Sequence, residues 1–436
     1  MSVTVIGAGL AGCEAAWQLA QQGISVELIE MKPLRRSEAH MVDTFAELVC
    51  SNSLRGADLS NAVGLLKEEM RRLDSVIIAC ADETRVPAGG ALAVDRDAFS
   101  ELVTQRIKAH PLINITYREV NEIPDGNVII ATGPLSSDAM TDALRELLPN
   151  SEFLSFYDAA APIVTTESID MNSAYLASRY GKGTADYINC PLDREEYLAF
   201  REALCTAEEA EIHGFDDGGV FEGCMPIEVM ARRGEDAMRY GPLKPVGLDD
   251  PRTGREPYAV IQLRRDNAEG TLYNLVGFQT HLKFGEQARV FGMIPSLANA
   301  EFVRYGKMHR NTYIDSPKLL NRYYALRNEP RIAFAGQITG VEGYVESAAS
   351  GLLCGLELAR RLNGEAPLDF PNTTAIGALS LYVSGGSVAN FQPMNVNFGI
   401  IEPLGYRVKG KRNKNLEISN RSLELMAKIL SPQEAE

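Results

Sequence analysis

The sequence is poor in the residues that would announce its chemistry at once: one tryptophan, five histidines and seven cysteines among 436 residues. The cysteines stand at 13, 50, 80, 190, 205, 224 and 354, odd in number and without a Cys-x-x-Cys pair. That spacing argues against both a disulfide framework and a zinc site, so no metal is expected. No run of about 18 apolar residues occurs, so no helix should span a membrane. The stretch Met1 to Gly7 enters an apolar strand directly, without the basic region and cleavage site of a secretory signal, and a cytoplasmic location is expected. Internal repeats and low-complexity linkers are absent as well.

What is present is an ordinary globular composition, 45% apolar and 23% charged, in a chain too long for one compact core. Two domains are expected. The net charge of −15 argues against general nucleic-acid binding, but charge is segregated along the chain and patches matter more than sums. Residues 193 to 222 hold ten acids and two bases, residues 301 to 331 hold seven Lys or Arg and three acids, and Arg407, Lys409, Lys411, Arg412 and Lys414 follow one another without an acid. The two basic runs are candidates for phosphate contact, with solvated faces as the plain alternative.

The first thirty residues predict strand, glycine turn, helix, strand. Val3 to Ile6 is a β-branched run, Leu10 to Gln22 carries apolar residues at helical spacing, and Ile24 to Glu30 is a second strand. Between them stands Gly7-Ala8-Gly9-Leu10-Ala11-Gly12. The first glycine makes the turn, the second lets backbone approach a pyrophosphate, and the third lets helix and strand pack closely. Glu30 ends the second strand 18 residues after Gly12, where an acid accepts from a ribose hydroxyl.

Further on, Asn61 to Leu73 predicts a helix and Val128 to Ala131 a buried strand, closed by Thr132-Gly133-Pro134. Gly133 either faces a cofactor or simply ends the strand. Residues 156 to 324 lose the βαβ rhythm and are expected to form an inserted α+β domain. The pattern returns at Arg331 to Ala335, followed by the glycine-rich turn from Gly336 through Glu342 and Gly343 and a small-residue helix from Ser347 to Leu362. The expected class is therefore α/β: a discontinuous Rossmann-type FAD-binding domain, 1–155 with 325–436, carrying the inserted domain 156–324.

Several longer stretches sharpen this reading. They are Phe45 to Arg55, Pro87 to Arg96, Phe221 to Ala231, Val276 to Lys283 and Gly336 to Gly351, together with the Gly7 to Gly12 turn. In these stretches, and over nearly the whole chain to about residue 416, the sequence resembles the folate- and FAD-dependent tRNA (uracil-5-)-methyltransferases. The larger wobble-uridine flavoproteins of the GidA type share the fold but carry a further carboxy-terminal helical region that this chain is too short to hold. The resemblance implies C5 methylation of uridine 54 in the T-loop of tRNA. Methylenetetrahydrofolate supplies the carbon, and electrons pass from NADPH or NADH through FAD. A folate methylene is two electrons short of a methyl group, so the reaction needs a reductant, and a flavin-type turn provides for one. With a single complete dinucleotide fingerprint, nicotinamide is expected to visit the flavin without a domain of its own.

C5 of neutral uracil is a poor nucleophile, and addition of a thiolate to C6 is the usual remedy. Cys224 lies between Gly223 and Pro226 with Arg232 and Arg233 following. Cys50 opens the polar turn Ser51-Asn52-Ser53 with Arg55 close by. Buried core thiols are the plain alternative for both. The resemblance implies Cys224 as nucleophile and Cys50 as the group that takes the C5 proton, with an exchange of roles left open. It also implies that the His281 ring packs against the folate pterin and that Glu342 and Gly343 bound the flavin site. Arg35 and Arg36 are candidates for an adenosine phosphate. Competing readings on the same fold are a flavoenzyme methylating a ribosomal RNA uridine and a flavin oxidoreductase acting on a small molecule, since a fold does not choose its substrate. An S-adenosylmethionine methyltransferase is disfavoured by the second glycine turn.

Overall fold

The computed structural model describes residues 2–37, 39–148, 153–159, 161–181, 184–210, 225–385 and 391–430. A five-stranded parallel sheet holds the first strand, Ser2–Ile6, at its centre, between Ser25–Glu30 on one side and Asn127–Ile130 on the other. Ile113–Tyr117 and Ile332–Phe334 form its edges. Val3, Val5, Val26 and Leu28 alternate with half-buried or exposed polar residues and are fully buried on one face of the sheet, whereas Val128 to Ile130 are fully buried at consecutive positions and so on both faces. The strand order reverses beside Ser2–Ile6, the place where parallel α/β sheets open a crevice at the carboxyl ends of their strands.

Two helices decide how tightly that sheet is covered. Helix Leu10–Gln21 is buried along most of its length, and helix Tyr344–Leu362 lies across it. The contact is close because a Cβ on Gly351 would stand 2.1 Å from the Ala11 carbonyl oxygen and one on Gly355 2.5 Å from that of Ala15. Small residues here let two backbones touch. The long helix begins at Tyr344, three residues before the position its sequence pattern predicts, since Gly343 at φ 104° turns the chain straight into it.

The second core is built from residues of the stretch 161–302. A six-stranded antiparallel sheet runs Tyr175–Ala177, Tyr187–Leu192, Ala259–Arg265, Leu272–Leu275, Ile163–Thr165, Phe302–Arg304. Tyr197, Phe200, Phe278 and Phe291 fill the space beneath it. Strands Phe153–Ala159 and Met308–Ile314 pair antiparallel, so the chain passes into and out of this region side by side. Tyr313, Ile314, Leu320 and Tyr324 pack in the first core. The architecture is α/β, a Rossmann-type domain interrupted by an α+β insertion.

Candidate functional site

The carboxyl ends of the central strands open into a cleft with an empty volume, mouth included, of about 1110 Å³. Gly7, Ala8, Gly9, Leu10, Ala11, Glu30, Gly133 and Gly336 are among the residues that line it. The three glycines of the first turn meet different surroundings. Gly7 has φ 99°, and a Cβ on it would lie 2.5 Å from the Ala131 carbonyl oxygen; on Gly12 it would lie 1.8 Å from that of Gly7. These two make the turn and seat the helix upon it. Gly9 caps the helix at an ordinary φ of −74°, and a Cβ there meets no protein atom within 4 Å. Its bare face opens toward the cleft, as a backbone that approaches a pyrophosphate requires.

Glu30 is buried, and each of its carboxylate oxygens accepts a backbone N–H: Oε2 from Ala8 at 2.7 Å and Oε1 from Lys32 at 2.9 Å. The acid thus ties the glycine turn to the end of the second strand, and its remaining lone pairs face the cleft wall. Lys32, also buried, donates to the Thr44 carbonyl at 2.6 Å and lies 3.5 Å from Glu47. His40, beside it on the same wall, is pushed down to about 4 by burial and by the Lys32 charge, so it stands neutral at pH 7. Arg35 and Arg36, candidates for a phosphate, are engaged elsewhere: Arg35 with Glu119 at 2.6 Å, Arg36 with Asp43 at 2.5 Å.

Cys50 sits at the edge of this cleft. Its neighbour Val49 and Tyr344 line the wall, and the Tyr344 phenol oxygen accepts the N–H of Cys50 at 2.7 Å and that of Ser51 at 3.2 Å. Arg55, the cation nearest in sequence, turns away and pairs with buried Glu346. Three other arginines hold the turn. Arg96 donates to the Leu48 carbonyl, Arg304 to that of Val49 at 2.5 Å, and Arg264 to Ser51 Oγ at 2.8 Å and Asn52 Oδ1 at 3.0 Å. Of these, Arg264 and Arg304 come from the antiparallel sheet, so the turn is gripped by both parts of the chain. No local pattern marks them; only the tertiary fold brings 264 and 304 to residue 50. The remaining described cysteines are core thiols or half-buried: Cys13, Cys80, Cys190 and Cys354 are buried, and burial pushes each thiol up.

His281 lies apart from the residues lining the cleft. Its ring is buried between two carboxylates, with Nε2 at 2.5 Å from Glu209 Oε2 and Nδ1 at 2.6 Å from Glu228 Oε1; the latter approach is too oblique for a hydrogen bond. Burial alone would lower its pKa, but Glu228 and Glu209 outweigh burial and raise it. Glu228 is itself fully buried, taking Thr280 Oγ1 at 2.8 Å and the His281 N–H at 2.8 Å. Cys224 lies outside the described residues. The chain on either side is anchored beside His281, where Ala210 N–H donates to the His281 carbonyl and Ile227 N–H to that of Gln279, each at 2.8 Å.

Glu342 and Gly343 are not among the residues lining the cleft. Buried Glu342 accepts from Gln337 Nε2 at 3.0 and 3.1 Å, and Gln337 does line it. Of the basic run 301–331, Arg304 grips the Cys50 turn, Arg322 pairs with Asp369, Arg327 donates to the Ser384 carbonyl and Arg331 to those of Pro124 and Gly126. Those guanidiniums hold the fold. Arg407, Lys409, Lys411, Arg412 and Lys414 are exposed, and among the described residues only Arg412 lies near an acid, Asp58 at 3.2 Å.

The parallel sheet, the glycine turn and the cleft define a dinucleotide-binding α/β protein of the flavoprotein type, and residues 2–366 match the family described as Glucose inhibited division protein A. The structure of GidA from Aquifex aeolicus has the same fold at a TM-score of 0.68 with 16% identity, covering all of this chain and 78% of that one. Similarity in sequence is far higher to methylenetetrahydrofolate--tRNA-(uracil-5-)-methyltransferase TrmFO of Acetivibrio thermocellus, 60% identical over 98% of both chains, and to that of Enterococcus faecalis, 58% identical over 98% of both. The chain belongs to this methyltransferase family, TrmFO, within the wider GidA group. Among the described residues, no helix is long and apolar enough to cross a membrane.

Proposed function

We propose that the protein transfers the one-carbon unit of methylenetetrahydrofolate to C5 of uridine 54 in the T-loop of tRNA, with FAD as cofactor and NADPH or NADH as reductant. The observation that carries this reading is the meeting of a thiol-bearing turn with a dinucleotide cleft: Tyr344 lines the cleft and accepts the N–H of Cys50. Full-length identity to relatives bearing the methyltransferase name supports the substrate class.

In this reading the amides and bare backbone of Gly7 to Gly12 hold the FAD pyrophosphate and Glu30 the ribose. Gly133 and Gly336 border the same cleft, with Glu342 and Gly343 behind Gln337. Bound FAD, reduced by NADPH or NADH, supplies the two electrons by which the transferred methylene becomes a methyl group. Cys224 as thiolate adds to C6 of the uracil, and the ring electron pair moves to C5, which forms a bond to the folate methylene carbon. Cys50 then takes the C5 proton, leaving that C–H pair on the ring. Departure of tetrahydrofolate and of the Cys224 sulfur completes the exchange. In this reading His281, whose pKa Glu228 and Glu209 raise, meets the pterin. The target base lies within the T-loop and must leave its stack to reach a thiol. The exposed cations of 407–414 contact tRNA phosphates. We read the two cores as two domains, 1–155 with 325–436 and 156–324.

Incubation with unmodified tRNA, labelled methylenetetrahydrofolate and NADPH tests this: label is expected at position 54 and nowhere in ribosomal RNA. Absence of label from tRNA overturns the reading. With 5-fluorouridine at the target, wild type and Cys50→Ala are both expected to form a denaturation-resistant adduct and Cys224→Ser none; the reverse pattern exchanges the two thiols.

A further inference from the structure

The turn 48–52 concentrates positive charge in a way that methyl transfer alone leaves unexplained. Arg96, at the start of helix Arg96–Ala109, is matched by Asp266 at 2.9 Å. Arg264 and Arg304 have no carboxylate within 4 Å among the described residues, although Arg264 is 8% exposed and Arg304 half-buried. Their bonds go to neutral acceptors, the Val49 carbonyl, Ser51 Oγ and Asn52 Oδ1. Guanidinium cations taken from water without a counter-charge are costly, and proteins retain them where an anion is present.

Burial, chiefly, lowers both Arg264 and Arg304; Tyr187 and Asp266 oppose it at Arg264, and a thiolate at Cys50 would oppose it at both, as it would at Arg96. Tyr344, which faces Cys50 from helix Tyr344–Leu362, is pushed up by burial and stays a neutral phenol. The acids nearby are occupied, Asp266 by Arg96 and Glu47 by Lys32 at 3.5 Å. The anion that balances the two arginines is therefore to be sought on the turn itself.

We propose that Arg264 and Arg304 are positioning residues that hold Cys50 as a thiolate, poised to accept a proton before substrate arrives. A thiolate gains from nearby cations, and the inserted sheet supplies them from a strand end that the dinucleotide domain does not own. The proposal rests on the reading of Cys50 as a reacting group, but its test does not depend on methyl transfer. The consequence is that docking of the antiparallel sheet on the Cys50 turn helps to arm the thiol, since Arg264 and Arg304 both come from that sheet.

The test is alkylation of the FAD-loaded full chain by iodoacetamide across pH 6 to 10, with the rate at Cys50 read on its own peptide by mass spectrometry. Wild-type Cys50 is expected to titrate well below the free-thiol value of about 8.5, and Arg264→Gln and Arg304→Gln to react on the order of tenfold slower at pH 7 while converging with wild type near pH 9.5. Arg304→Lys, which keeps the charge, should keep the low midpoint. A wild-type midpoint at about 8.5, or unchanged rates in both glutamine variants, overturns the proposal. Should those variants fail to fold, the wild-type midpoint decides alone. Retention of methyl transfer by Cys50→Ala would instead overturn the role given to Cys50 and leave its titration untouched.

Discussion

The phenol oxygen of Tyr344 accepts the backbone N–H of Cys50 at 2.7 Å across 294 positions of sequence. One atom thereby joins the first residue of the long helix, a wall of the cleft and the turn that carries the thiol.

Tyr344→Phe removes the acceptor of two sheltered N–H groups, Cys50 and Ser51. An unsatisfied buried donor costs about 1–3 kcal/mol, so the melting temperature should fall by a few degrees. FAD content should be unchanged, because the glycine turn is untouched, while methyl transfer falls on the order of tenfold as the thiol loses its fixed position. A variant with normal turnover would show that this hydrogen bond does not place Cys50.

Gly9 and Gly12 should respond differently to the same substitution. Gly9→Val meets no protein atom near its Cβ and has an ordinary φ, so the protein should fold with near wild-type stability and purify without its yellow colour. Gly12→Val drives a side chain into the Gly7 carbonyl and should destabilise the fold itself, by more than about 3 kcal/mol. Denaturant unfolding and flavin absorbance separate the two outcomes.

His281 should make stability depend on pH on the alkaline side. Its folded pKa is raised by Glu228 and Glu209, so the stabilisation is fully present below the unfolded value of about 6.5 and is lost as pH rises through the higher folded value. Deprotonation leaves Glu228 buried without another cation within 4 Å among the described residues; Glu209 keeps Arg232. Thermal unfolding of wild type and His281→Gln between pH 6 and 9 checks this: the wild type should lose stability upward through that window, and the variant, less stable at pH 6, should show a flatter profile.

Neutralising Lys409, Lys411 and Arg412 together should weaken tRNA binding and reduce its salt slope by about 2 to 3, near one for each phosphate left without its cation. Neutralising Arg322, Arg327 and Arg331 should instead lower thermal stability, since their guanidiniums hold carbonyls and an acid within the fold. A salt slope unchanged by the first triple substitution removes this run from the interface.

The dinucleotide half of the protein was legible in the sequence because its determinants are local. Glycine at 7, 9 and 12 fixes a turn within six residues, and the acid at 30 follows from the length of one helix and one strand. The short β-branched run Val128 to Ala131, closed by Thr132-Gly133-Pro134, fits a strand buried on both faces. The helix following Gly343 was legible too, apart from its first three residues, which depend on a positive φ that only the folded turn reveals. The surroundings of Cys50 were not. Arg55 stands nearest in sequence but is drawn off by buried Glu346, while Arg264 and Arg304 arrive from a sheet more than 200 residues away. Likewise the run 301–331 reads as a basic patch, yet most of its arginines are consumed inside the fold. Composition counts charges, but which charge remains available is decided by what each side chain meets when distant segments pack, and that is a property of the tertiary structure alone.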